Sequence, residues 1–127
     1  ICKYHGKYLN LQQKQKNKQE SMNRTNTINM AKETIHNIAP EAIVKVYGSE
    51  ARGDANINSD IDLLVMLPFE RGTKFRKMER AITEALLYDV ELKTGVEMSP
   101  FIVPQKWWEN HPNNEFKINV ENDGILL

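Results

Sequence analysis

A chain of 127 residues has room for one modest hydrophobic core, so a single domain is expected. Seventeen bases balance seventeen acids, but six bases face one acid before Ile28 and eleven face sixteen from there on; an acidic domain argues against an electrostatic nucleic-acid binder. The single cysteine, Cys2, excludes an intrachain disulfide and a cysteine-rich zinc site, no apolar run approaches the ~18–20 residues that span a bilayer, and a cytoplasmic protein is expected.

Residues 1–27 read as a polar, basic tail. From Gln12 to Glu20 there is no apolar side chain to bury, so ordering that run costs more conformational entropy than it returns. Met22 and Met30 are both candidate starts, and the tail is expected to be disordered or a non-native extension. A basic arm contacting RNA is the rival reading. The folded domain is expected over residues 28–127. Ile28, Ala31, Ile35 and Ile38 fall on one helical stripe, which Pro40 stops. Residues 42–47 are β-branched and strand-like, and Gly48 ends them. Residues 54–59 are loop chemistry, rich in side chains that bond their own backbone. Residues 61–67 form a second strand, apolar almost throughout beyond its acids, as in a strand covered on both faces.

Phe75, Met78, Ile82, Leu86 and Val90 recur in steps of three and four, predicting a long helix over residues 73–93, with Gly95 as its stop. A third strand is expected over residues 96–103, at an edge or bulged, because Pro100 lies inside it. A helical turn follows at 105–109, and of its tandem tryptophans Trp107 is expected to pack in the core. A last helix is expected over 114–122, presenting Phe116 and Val120, and Ile125–Leu126–Leu127 make a short apolar end. The order α-β-β-α-β-α predicts a small α/β (α+β) fold, with a mixed sheet and helices mainly on one face.

Two stretches carry chemistry. In Gly48–Ser49 the glycine lets the backbone pass close to a phosphate, and the turn N–H groups and the Ser49 hydroxyl can donate to its oxygens. The plainer alternative is an ordinary strand-ending turn. Asp60 and Asp62 leave the same face of a strand, with Cα atoms about 6.5–7 Å apart. Two carboxylates are sufficient protein ligands for magnesium arriving with substrate phosphates. Asp60 could instead cap a turn with Ser59. Asp62 is harder to dismiss, because an unpartnered carboxylate between Ile61 and Leu63 is expensive. A cation would satisfy it, and so would an ion pair with Arg52. Glu97, between Val96 and Met98, reaches the same face if its strand lies beside the second; otherwise it is a solvent-facing edge residue.

Gly48-Ser49-x-Ala51-Arg52-Gly53 followed by Ser59-Asp60-x-Asp62-Leu63-Leu64-Val65 resembles the signature of the minimal nucleotidyltransferases, in the DNA polymerase beta-like nucleotidyltransferase superfamily. The match is strong over residues 42–67 and continues to 103 by order and spacing. The resemblance implies a nucleotidyltransferase fold, ATP as substrate and two Mg2+ ions. Gly48, Ser49 and Arg52 would bind the nucleotide; Asp60, Asp62 and Glu97 would be the catalytic, metal-holding acids. An acceptor hydroxyl would attack the α-phosphate in line and pyrophosphate would leave. Two departures stand out: the third acid is Glu where Asp is commoner, and only residues 104–127 remain to hold an acceptor. Minimal members often act beside a helical HEPN-type partner as the antitoxin of a toxin–antitoxin pair, which makes such a partner an expectation. The alternative is a catalytically degenerate, antitoxin-like binding module that neutralises a partner by contact alone.

Overall fold

The computed structural model describes residues 11–127, with side chains described from Arg24 onward. Its sheet forms around the most apolar run of the sequence. Strand β1 (Ile43–Tyr47) pairs antiparallel with β2 (Ile61–Leu67), in register from Ile43 opposite Met66 to Tyr47 opposite Asp62. Strand β3 (Met98–Pro104) lies parallel to β2 on its other side, with Asp62 opposite Ser99. A two-residue strand, β4 (Ile125–Leu126), closes the order β3-β2-β1-β4 by pairing antiparallel with β1. Pro100 therefore sits in an edge strand, where its missing N–H costs no ladder bond on the open side.

Alternation along β2 divides the core. Ile61, Leu63, Val65 and Leu67 point to one face, and all four are fully buried. There they meet helix α1 (Leu11–Ile38), through Ala31 and Ile35, and helix α3 (Thr73–Ala85), through Phe75 and Ile82. The expected long helix is present, but it is not α-helical throughout. After Ala85 it passes through a π-helical segment (Leu86–Glu91) and ends in one more turn (Leu92–Thr94). The apolar steps Ile82–Leu86–Val90 are all of four, slightly more than an α-turn holds. The wider turn keeps Leu86 and Val90 buried and leaves Leu87, Tyr88 and Leu92 exposed. Gly95 stops the helix with φ 74°, a conformation that favours glycine.

The other face of β2 carries Asp62, Leu64 and Met66. Short helices α4 (Gln105–Asn110) and α5 (Glu115–Asp123) cover it, bringing in Trp108 and Val120 beside Val103. The two long helices thus share one face, as expected, and the two short ones shelter part of the second, next to the acids.

Two expectations need correction. Trp108, not Trp107, enters the core: it is 3% exposed, while Trp107 is 38% exposed and lies against His111 with ring centroids 4.6 Å apart. With α4 starting only after Pro104, its fourth residue is the one turned to the sheet. The polar tail expected up to residue 27 also ends too late. Helix α1 already runs through that boundary, and Arg24 and Thr27 are buried. Residues 1–10 lie outside the described residues. Among those described, no helix is long and apolar enough to cross a membrane.

On the second face Trp108 Nε1 donates to Glu121 Oε1 at 2.6 Å, and Lys45 Nζ lies 3.4 Å from Glu121 Oε2. The indole N–H first, then Lys45 and Lys117, hold the Glu121 carboxyl below the usual glutamate range. A lowered acid binds protons less tightly folded than unfolded, so it contributes stability above the unfolded pKa that is lost as pH falls through the folded value. Thermal melting from pH 6 down to 3 should show this loss, and Glu121→Gln should flatten it.

Candidate active site

The site begins where β1 ends. Helix formers Glu50, Ala51 and Arg52 follow the glycine and serine, and the turn expected at this point tightens into a short helix, α2 (Gly48–Arg52). Gly53 closes it with φ 80°, and the Asp54 N–H donates to the Ser49 carbonyl at 3.0 Å. Among the described residues no side chain caps its start. Gly48 is required twice over. Its φ is 72°, and a Cβ there would run into Asp62 Oδ2 and lie 3.3 Å from Asp62 Cγ. The glycine turn and the second acid are therefore in direct contact.

Residues 54–60 form a self-bonded loop, as their composition predicts: the Asn58 N–H donates to Asn56 Oδ1 at 2.8 Å and the Asn56 N–H to Ser59 Oγ at 3.0 Å. That loop delivers Asp60 one residue before β2. Asp62 is half-buried; burial, then the charge of Asp60, push its carboxyl above the ordinary range, and Arg52 pulls it back in part. Glu97 precedes β3, whose start is two residues later than expected because the Val96 N–H turns to Thr94 Oγ1 at 3.2 Å. The Glu97 carbonyl still accepts from the Ile61 N–H at 2.9 Å, which fixes it beside the strand of acids. Its carboxyl is exposed and is pushed up by the charge of Asp60 and a hydrogen bond to it, with burial and Glu91 adding less.

Asp62 and Glu97 are thus each in electrostatic contact with Asp60. Arg52 does not neutralise them by an ion pair: its guanidinium lies 3.5 Å from Asp54 Oδ2, and both side chains are exposed. Tyr47 stands opposite Asp62 in the ladder; burial, then the charge of Asp62, raise the pKa of its phenol. Among the described residues, no three His, Cys, Asp or Glu side chains are grouped closely enough to enclose an ion. The donor set is nevertheless the one magnesium takes when most of its ligands are phosphate and water: hard carboxylates, two from one strand end, beside a cradle that a Cβ would fill. Asp60 and Asp62 fit that metal; Glu97, exposed, would be a weaker third ligand.

A family model for the nucleotidyltransferase domain matches residues 28–126. The chain belongs to that family. No similar sequence is found among curated proteins. In this nucleotidyltransferase domain the matched span takes in the glycine turn, both aspartates and Glu97. Its mixed α+β architecture around a four-stranded sheet agrees with the fold expected from the motif. A surface depression of about 550 Å³ beside Arg71, Trp107 and His111 lies elsewhere, around Pro104 at the far end of β3.

Sequence reasoning missed Arg24 and Glu50, which pair at 3.0 Å behind the site, and Tyr47, which joins it by register alone. It also missed that Phe116 packs edge-to-face on Tyr47, with centroids 5.7 Å apart.

Proposed function

We propose that this nucleotidyltransferase domain transfers a nucleoside monophosphate, AMP from ATP, to an acceptor hydroxyl in a Mg2+-dependent reaction in the cytoplasm. The observation that carries it is the contact between Gly48 and the Asp62 carboxylate, which sets a phosphate-binding turn against a pair of acids. The backbone N–H groups after Gly48 and the Ser49 hydroxyl donate to the triphosphate, and Arg52, exposed at the end of α2, adds positive charge. Asp60 and Asp62 would hold two Mg2+ ions, with Glu97 as a further ligand, and the ions when bound would supply charge neutralisation at the phosphates. The acceptor oxygen bonds to the α-phosphorus, the bond to the oxygen bridging the β-phosphate breaks, and pyrophosphate leaves. Glu97, beside Asp60, would accept the hydroxyl proton.

Glu97 and Arg52, both exposed, suit an acceptor presented on another protein, and a HEPN-type helical partner neutralised in an antitoxin role is the proposed one. With α-labelled ATP, Mg2+ and that partner, label is expected on the acceptor, and none with Asp60→Ala/Asp62→Ala. Label that survives the double replacement refutes the site. The exposure of Glu97 and the open grouping of the acids favour a second reading, a binding module without turnover. In that case the double variant neutralises the partner as well as the parent does.

A further inference from the structure

Arg24 lies in the last stretch assigned by composition to the tail, yet it is 8% exposed and faces the back of the site. Its Nε donates to Glu50 Oε2 at 3.0 Å and its Nη2 to the Ser59 carbonyl at 2.8 Å. Glu50 belongs to α2, the element that carries Gly48 and Ser49; Ser59 immediately precedes Asp60. One guanidinium therefore bridges the phosphate-binding turn and the loop that delivers the first acid. The Arg52–Asp54 ion pair and the Asp54 N–H bond to the Ser49 carbonyl also join these two elements, but only at the start of the loop; Arg24 grips its far end, beside Asp60. The third nitrogen, Nη1, is buried and has no hydrogen-bond partner among the described residues. A buried cation left partly unsatisfied contributes little stability, so the bridge matters for the geometry it fixes.

We infer that Arg24 is a positioning residue, which holds the turn of Gly48 and Ser49 in register with Asp60 so that nucleotide and divalent cation bind cooperatively. The inference rests on the transferase reading above and adds to it a coupling device supplied by α1. The guanidinium is planar and forked, so it can meet a carboxylate and a carbonyl at fixed relative positions. A lysine ammonium is a single point and cannot fix two partners in that way. With the fork lost, the turn can still take a phosphate and Asp60 can still meet a cation. What is lost is the fixed distance between them, and with it the help that one ligand gives the other.

The test is the affinity of the full chain for α,β-methylene-ATP by calorimetry, in EDTA and in excess Mg2+. In the parent, Mg2+ should strengthen binding by a factor within the ordinary coupling range of about 5–150-fold. In Arg24→Lys the metal-free affinity should stay within about twofold while most of the Mg2+ enhancement is lost. Glu50→Gln, which leaves the guanidinium on the Ser59 carbonyl, should reduce the enhancement in the same direction; it serves if Arg24→Lys does not fold. A merely structural role would weaken both affinities by one factor, and that result, or an unchanged enhancement, overturns the inference. A parent chain with no Mg2+ enhancement sinks the transferase reading itself and takes the inference with it.

Discussion

Asp62→Asn is expected to raise the melting temperature in metal-free buffer near neutral pH while abolishing nucleotidyl transfer. Both effects come from one carboxylate. Burial and the neighbouring Asp60 push the Asp62 carboxyl up, and Asp60 does the same to Glu97. A raised acid binds protons more tightly folded than unfolded. Stability is therefore fullest below the ordinary carboxylate range and declines as pH climbs through the window up to the folded pKa. At neutral pH the charged site stands at the destabilised end of that window, and asparagine removes one of its repelling charges. Divalent cation should do the same for the parent, so Mg2+ should raise the parent's melting temperature more than the variant's. Catalysis moves the other way. Metal-assisted charge stabilisation is worth several kcal/mol, and at about 1.4 kcal/mol per decade the loss is on the order of 10³-fold or more. Differential scanning fluorimetry with and without Mg2+, beside label transfer, reads both. A variant that melts lower in metal-free buffer, or that still transfers label, contradicts this picture.

Gly48→Ala should be severe for a different reason. A left-handed backbone costs an L-residue roughly 1–2 kcal/mol. The added methyl must also displace the Asp62 carboxylate, a side-chain end that can swing aside at small further cost to stability but only by moving the acid. Gly53→Ala is the control. Its φ of 80° imposes the same backbone strain, but nothing lies within 4 Å of the added Cβ. Urea midpoints should fall for both, and further for Gly48→Ala. Only Gly48→Ala should lose affinity for the Mg2+–nucleotide complex, because only there is an acid moved. Equal losses for the two glycines would show that the close approach to Asp62 is unimportant.

What could be read from the sequence was whatever local chemistry decides. The apolar run of β2 announces a strand buried on both faces, the Gly48–Ser49 and Asp60–x–Asp62 pairs announce their own geometry, and Pro100 correctly demotes β3 to an edge. Readings failed where the partner is distant. Arg24 looks like one more solvated base because Glu50, its counter-ion, is 26 residues away and Ser59 is 35 away. Trp107 and Trp108 are indistinguishable by type; which one turns inward depends on where α4 starts after Pro104. Tyr47 enters the site through the register of β1 on β2, and no periodicity encodes a register. The π-helical segment also lay below what a pattern of threes and fours can resolve.

The crossover between β2 and β3 has a kinetic side. β1 and β2 form a local antiparallel pair across the short helix α2, so Gly48 and Asp62 can meet early, at the cost of closing only a small loop. The parallel partner arrives after the whole of α3 has been threaded through, and pairings of such long sequence separation are intrinsically slow. Glu97 is therefore among the last groups to arrive as the chain folds. The expected order of events is the Gly48 turn and first two acids before the third. Amide exchange pulsed during refolding should protect β1 before β3, and ligand-dependent protection should be detectable within that interval.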